Sequence, residues 1–65
     1  MKVREVIKLI EDDGWVLARQ RGSHRHFIHA IKPGRVTVAG NLGADVRPGT
    51  LASMLRQAGL KGSGR

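Results

Sequence analysis

Residues 15–31 read WVLARQRGSHRHFIHAI, and this stretch decides the fold. Its two apolar-rich segments, 15–21 and 24–31, have the length and composition of β-strands. Gly22 lies between them and can adopt the positive φ that a tight hairpin connection requires. The pattern therefore predicts an antiparallel hairpin in which His24 follows the turn directly.

Further strands and helices are predicted on both sides of this hairpin. A turn at 32–35 precedes a short third strand, Val36–Val38. Apolar residues at helical spacing mark one stripe before the hairpin and one after the third strand, namely Val3, Val6, Ile7 and Ile10, then Leu51, Met54, Leu55 and Ala58. Gly14 and Gly59 suit the helix ends, and Pro48 suits the first turn of the second helix.

The predicted order is α-β-β-β-α, an α+β fold. Both strand connections are too short for a parallel crossover, so the three-stranded sheet is expected to be antiparallel. Both apolar stripes need cover, which places the two helices on one face of the sheet. We expect a single domain over residues 1–60 and a flexible C-terminal tail over 61–65. In the first strand, Trp15/Leu17 and Val16/Ala18 are both apolar pairs, and which pair faces the core stays open.

Charge is the second informative feature. The chain has 12 Lys and Arg against 5 Asp and Glu, a net charge of +7. Residues 14–44 contain no carboxylate, yet they hold all three histidines. Such a basic segment indicates a polyanionic partner, and nucleic acid is favoured over membrane because no basic amphipathic helix carries the surplus.

Composition excludes several other classes. With no cysteine, the chain has no disulfide, thiolate nucleophile or cysteine zinc site. No apolar run is long enough for a membrane span or a signal peptide, which predicts a cytoplasmic protein without membrane contact. His24-x-His26 offers too few ligands for a metal, so we expect no metal and no cofactor. One Trp, one Phe and no Tyr leave little for base stacking.

The histidines suggest a chemistry. Strand alternation places His24 and His26 on one face and Phe27 on the other, and Phe27 is the better core residue. His24 and His26 then lie on the open face, in basic surroundings. RNA carries its own nucleophile, the 2′-hydroxyl, so a histidine that moves protons beside arginines that stabilise phosphate charge suffices for cleavage without metal. A surface histidine with no catalytic role is the alternative.

Several sequence elements in combination resemble the HicA toxin family over about residues 3–60. They are Gly14-Trp15, Arg19-Gln20-Arg21-Gly22-Ser23-His24, Val36-Thr37-Val38, Pro48-Gly49-Thr50-Leu51 and Arg56-Gln57-Ala58-Gly59-Leu60. The resemblance implies a fold similar to the double-stranded-RNA-binding domain and a metal-independent mRNA interferase, the toxin of a type II toxin–antitoxin pair. It also implies a HicB-type antitoxin that covers the active site. The family's catalytic histidine corresponds to His24, and Gly22 would shape the turn that presents it.

The candidate RNA-binding residues surround this histidine in the sequence. They are Arg19, Arg21, Gly22, Ser23, Arg25 and Lys32. The chain departs from the family pattern at Arg25, which follows His24 directly, and at Ala39-Gly40-Asn41, which replaces a Pro-His element after the third strand. Whether His26 or His29 assists His24 stays open.

Three functional hypotheses remain at this stage. The first is an RNA-cleaving toxin, a monomer when free, whose antitoxin buries His24. The second is a non-catalytic RNA-binding module of the same fold. The third is a protein-interaction module that pairs with an acidic partner.

Overall fold

The computed structural model describes residues 1–60 of the 65-residue chain. Its elements, in chain order, are α1 (Val3–Asp12), β1 (Trp15–Arg21), β2 (His24–His29), β3 (Val36–Val38) and α2 (Pro48–Gln57). The predicted α-β-β-β-α order is confirmed. The predicted tail, 61–65, lies outside the described residues. Within residues 1–60, the helices are too short and too polar to cross a bilayer.

The three strands form one antiparallel sheet with β2 in the centre. Buried side chains from both helices meet buried side chains from one face of this sheet. The core consists of Val3, Val6, Ile10, Trp15, Phe27, Val36, Val38, Met54 and Ala58. The prediction that both helices cover the same face is therefore confirmed, and the opposite face, hereafter the open face, carries neither helix.

The first strand now has a defined orientation. The Trp15 side chain is 1% exposed and the Val16 side chain is 61% exposed, so Trp15 faces the helices. The Trp15 indole Nε1–H donates to the Ala58 carbonyl at the end of α2, over 3.1 Å. This bond ties the start of β1 to the second helix.

The strand β2 ends at His29, two residues before the predicted end at Ile31. The His29 Nδ1 atom accepts the backbone N–H groups of both Ile31 and Lys32, each over 3.0 Å. These bonds turn the chain, because the two amides are used locally and cannot join a strand ladder. The prediction of strand to Ile31 was wrong for this reason.

The loop after β3 holds the start of α1. The backbone N–H groups of Val3 and Arg4 donate to the carbonyls of Ala44 and Leu42, over 2.9 and 3.1 Å. First-turn amides have no partner within a helix, so these carbonyls satisfy them. The loop thereby fixes α1 against the sheet.

Candidate functional site

Cross-strand pairing brings basic side chains together on the open face. Arg21 pairs with His24, and Arg19 pairs with His26. Residues directly opposite each other in an antiparallel pair project from the same face. The four side chains therefore form one cluster, hereafter the His24 cluster.

A β-bulge in β1 is what puts the arginines in this cluster. Leu17 pairs with Phe27, whereas Arg19 pairs with His26, so Ala18 is an extra residue in β1. In an uninterrupted strand with Leu17 on the helix side, alternation would place Arg19 on that side as well. The bulge moves Arg19 to the open face, and alternation then places Arg21 on the same face.

The hairpin turn before His24 is stabilised by hydrogen bonds from side chains on the two flanking strands. Gly22 has φ 59°, in the left-handed region that favours glycine. The Gln20 Nε2 group donates to the Gly22 carbonyl over 3.0 Å, and the Arg25 Nη1 group donates to the Ser23 carbonyl over 3.3 Å. The turn therefore presents His24 from a restrained backbone.

The three histidines have different surroundings. His24 is exposed, and within residues 1–60 no side-chain hydrogen bond holds its ring. The half-buried His26 shares a 3.0 Å hydrogen bond between Nδ1 and the Thr37 hydroxyl. His29 lies on the helix side, where its Nε2 is 2.7 Å from the Asp13 carbonyl.

These contacts distinguish a histidine whose ring is held by hydrogen bonds from one whose ring is available. The His29 Nδ1 accepts two backbone N–H groups, so the ring proton is on Nε2 and donates to Asp13. Both ring nitrogens of His29 thus form hydrogen bonds within the protein. His24, in contrast, has both nitrogens available to a bound molecule, which is the condition for accepting and donating protons.

Arg25, a predicted phosphate contact, lies on the other face of the sheet from His24. It pairs with Val38, whose side chain is in the core. The half-buried Arg25 guanidinium donates to the Gly40 carbonyl over 3.0 Å. This hydrogen bond joins β2 to the segment 39–41 that follows β3.

Lys32 lies beyond the opposite end of β2 from His24, and that strand spans about 17 Å at the usual rise per residue. Its ammonium group forms an ion pair with Asp13 and donates to the Ala58 carbonyl over 3.1 Å. The hydrogen bond from Lys32, with its positive charge, lowers the pKa of the Asp13 carboxyl below its ordinary value of 3.8. Lys32 therefore joins the ends of the two helices.

The His24 cluster suits chemistry on an anion. It combines an available imidazole with two guanidinium groups that can bind phosphate oxygens. Among the described residues, no three histidine, cysteine or carboxylate side chains come together as a metal-binding group.

Two features near the cluster were not identified from the sequence. Val16 and Ile28 pair across the strands on the open face and are 61% and 49% exposed. Thr37 also faces the open side, where it bonds to His26 and reaches a groove beside α2. The alternation Val36-Thr37-Val38 could have predicted the direction of Thr37, but the groove depends on tertiary packing.

Comparison with known proteins agrees with this description. The family model described as the HicA toxin of bacterial toxin–antitoxin systems matches residues 3–60. The matched range begins with α1 and extends past α2, so it includes the hairpin and the His24 cluster. No curated protein shows significant similarity to the sequence.

Proposed function

The chain belongs to the HicA toxin family, and we propose that it is a metal-independent endoribonuclease that cuts mRNA in the cytoplasm, with His24 as its general acid and base. One observation carries this proposal. His24 is exposed beside Arg21 on the open face, and both lie in the segment 14–44, which has no carboxylate. An RNA phosphate could therefore approach the imidazole without electrostatic repulsion.

The proposed reaction uses the RNA's own 2′-hydroxyl. Its oxygen attacks the adjacent phosphorus, a bond forms between O2′ and phosphorus, and the bond from phosphorus to the 5′-oxygen breaks. Neutral His24 accepts the 2′-hydroxyl proton and then donates it to the departing 5′-oxygen, so one imidazole serves both transfers. Arg19 and Arg21 stabilise the charge that develops on the phosphoryl oxygens.

We propose fewer RNA-binding residues than the sequence predicted. Arg19 and Arg21 contact phosphates, and Gly22 and Ser23 shape the turn beside them. Arg25 and Lys32 are left out, because their nitrogens donate to carbonyl groups and to Asp13 within the fold.

Cleavage of an end-labelled mRNA by the purified protein in EDTA tests the proposed activity. The expected products carry 2′,3′-cyclic phosphate and 5′-hydroxyl ends, because O2′ is the attacking atom. The matched control is the same sequence with 2′-deoxy sugars, which lacks the nucleophile and should stay intact. Salt-sensitive RNA binding with no cleavage would contradict the proposal and favour the non-catalytic RNA-binding module.

Membership of a toxin–antitoxin family also implies an inhibitory partner, and we infer that a HicB-type antitoxin covers His24. The open face continues from the His24 cluster to the exposed pair Val16 and Ile28. RNA gains little from aliphatic side chains, whereas a protein that buries them gains hydrophobic free energy. Acidic residues on the same partner would complement the arginines.

A double substitution, Val16→Thr with Ile28→Thr, should weaken antitoxin binding and leave RNA cleavage unchanged. The two changes remove about three methyl or methylene groups, worth about 2.4 kcal/mol or roughly a 50-fold change in affinity if the partner buries them. Titration calorimetry with the protein encoded beside the toxin gene measures the effect.

Leu42→Thr is the matched control for this pair. Leu42 is 47% exposed but lies in the loop that holds α1, away from the open face. Equal antitoxin affinity of the double variant and the control would show that the partner does not use the Val16 and Ile28 surface.

A further inference from the structure

An open groove of about 470 Å³ lies between β3 and α2, outside the His24 cluster. Its volume is in the range of sites that bind small molecules. It is lined by Arg35, Thr37, Thr50, Ser53, Met54 and Gln57. We propose that this groove binds an RNA nucleotide next to the one that is cut, a proposal that rests on the proposed ribonuclease function.

The lining chemistry fits a nucleotide. Arg35 is exposed and can bind a phosphate through two N–H groups at once. Three hydroxyls and the Gln57 amide can bond to a ribose or to the edge of a base. Met54 is 7% exposed, and its thioether can pack against a base. None of the lining side chains is a carboxylate, so nothing there repels a phosphate.

The groove is continuous with the proposed cleavage site. Thr37 lines the groove and is also hydrogen-bonded to His26, over 3.0 Å. Because Thr37 pairs with His26, His24 is its diagonal neighbour, and such neighbours are about 7–8 Å apart. One RNA strand can therefore lie over His24, cross β3 at Thr37 and enter the groove with an adjacent nucleotide.

RNA fits this groove better than a protein partner does. The exposed aliphatic residues on which a protein would dock, Val16 and Ile28, lie at the β1–β2 side of the sheet. The groove lies at the opposite edge, beside β3, and offers hydroxyl, amide and guanidinium groups. On this proposal, RNA and the protein partner compete for the open face, which carries the His24 cluster, Val16 and Ile28. RNA alone binds the groove beside β3.

Binding of 2′-fluoro RNA oligonucleotides tests the groove without relying on cleavage, because these lack the attacking hydroxyl. We expect Arg35→Ala to weaken binding of an eight-nucleotide probe about fivefold at 0.1 M salt and to reduce the salt slope by about 0.7, the effect of one phosphate contact on single-stranded nucleic acid.

Arg56→Ala is the matched control. Arg56 is exposed on α2, the helix beside the groove, but does not line the groove. Its removal makes the same change in net charge as the removal of Arg35. Equal salt slopes for the two variants would overturn the proposal, as would an Arg35→Ala protein that loses antitoxin affinity and keeps RNA affinity. A wild-type protein that binds the probe through Arg35 but cleaves no RNA would support the groove and overturn the ribonuclease function instead.

Discussion

Replacing His24 by alanine is expected to lower the rate of RNA cleavage by about 10²–10⁴, the usual effect of losing a general acid or base. The fold should remain intact, because His24 is exposed and holds no hydrogen bond within residues 1–60. Affinity for 2′-fluoro RNA should change little, since Arg19 and Arg21 supply the phosphate contacts. Single-turnover cleavage of a labelled RNA, with circular dichroism of both proteins, measures the loss.

Two further measurements distinguish a catalytic role of His24 from an indirect effect of removing its side chain. Added imidazole should restore part of the His24→Ala activity, because a small base can occupy the space the side chain leaves. His26→Ala is the matched histidine variant. In the wild-type protein the His26 ring is hydrogen-bonded to the Thr37 hydroxyl, whereas the His24 ring is free of such bonds within residues 1–60. A folded His24→Ala protein that cleaves RNA at the wild-type rate would refute the assignment and make the exposed histidine incidental.

The proposed RNA-cleaving surface and the proposed antitoxin-binding surface lie side by side on the open face of the sheet. The His24 cluster needs solvent access for RNA, while Val16 and Ile28 beside it offer apolar area to a protein. A partner anchored on the aliphatic pair would extend over His24, so binding and inhibition follow from the same contact.

Much of the fold could be predicted because its signals are local. The helical stripes, the Gly22 turn and the Gly59 helix end each involve neighbouring residues, and the structure confirms them. Beyond the last residue of α2, the Gly59 N–H donates to the Arg56 carbonyl over 3.0 Å and the Leu60 N–H to the Leu55 carbonyl over 2.8 Å, the pattern of a glycine-terminated helix. The choice of one covered face also followed, because two apolar stripes need a common surface.

The remaining features depend on contacts between distant residues. The bulge at Ala18 has no glycine to mark it, yet it decides that Arg19 lies on the same face as His24. Lys32 has the same charge as a phosphate-binding lysine, and only the packing of both helix ends shows that it pairs with Asp13. For this reason we propose a smaller RNA-binding set than the sequence predicted, and the groove beside β3 was not predicted from the sequence.

Replacing Trp15 by alanine should remove much of the protein's free energy of unfolding. Trp15 is 1% exposed and the largest of the fully buried side chains. Truncating such a residue costs about 3–5 kcal/mol. A domain of about 60 residues is stable by only roughly 3–9 kcal/mol, at the usual 0.05–0.15 kcal/mol per residue. Urea unfolding followed by circular dichroism should show a much lower midpoint and a measurable unfolded fraction in buffer.

Trp15→Phe is the informative comparison, because it keeps an aromatic ring in the core while it removes the indole N–H and part of the ring volume. The Ala58 carbonyl that accepts this N–H also accepts the Lys32 ammonium group, so it retains a partner. The phenylalanine variant should therefore stay folded and cleave RNA, while the alanine variant loses activity in proportion to its unfolded fraction. An alanine variant with the wild-type urea midpoint would contradict the role of Trp15 in the core. Antitoxin binding to the folded state should raise the folded fraction of the alanine variant, measured by circular dichroism, although the bound protein stays inhibited.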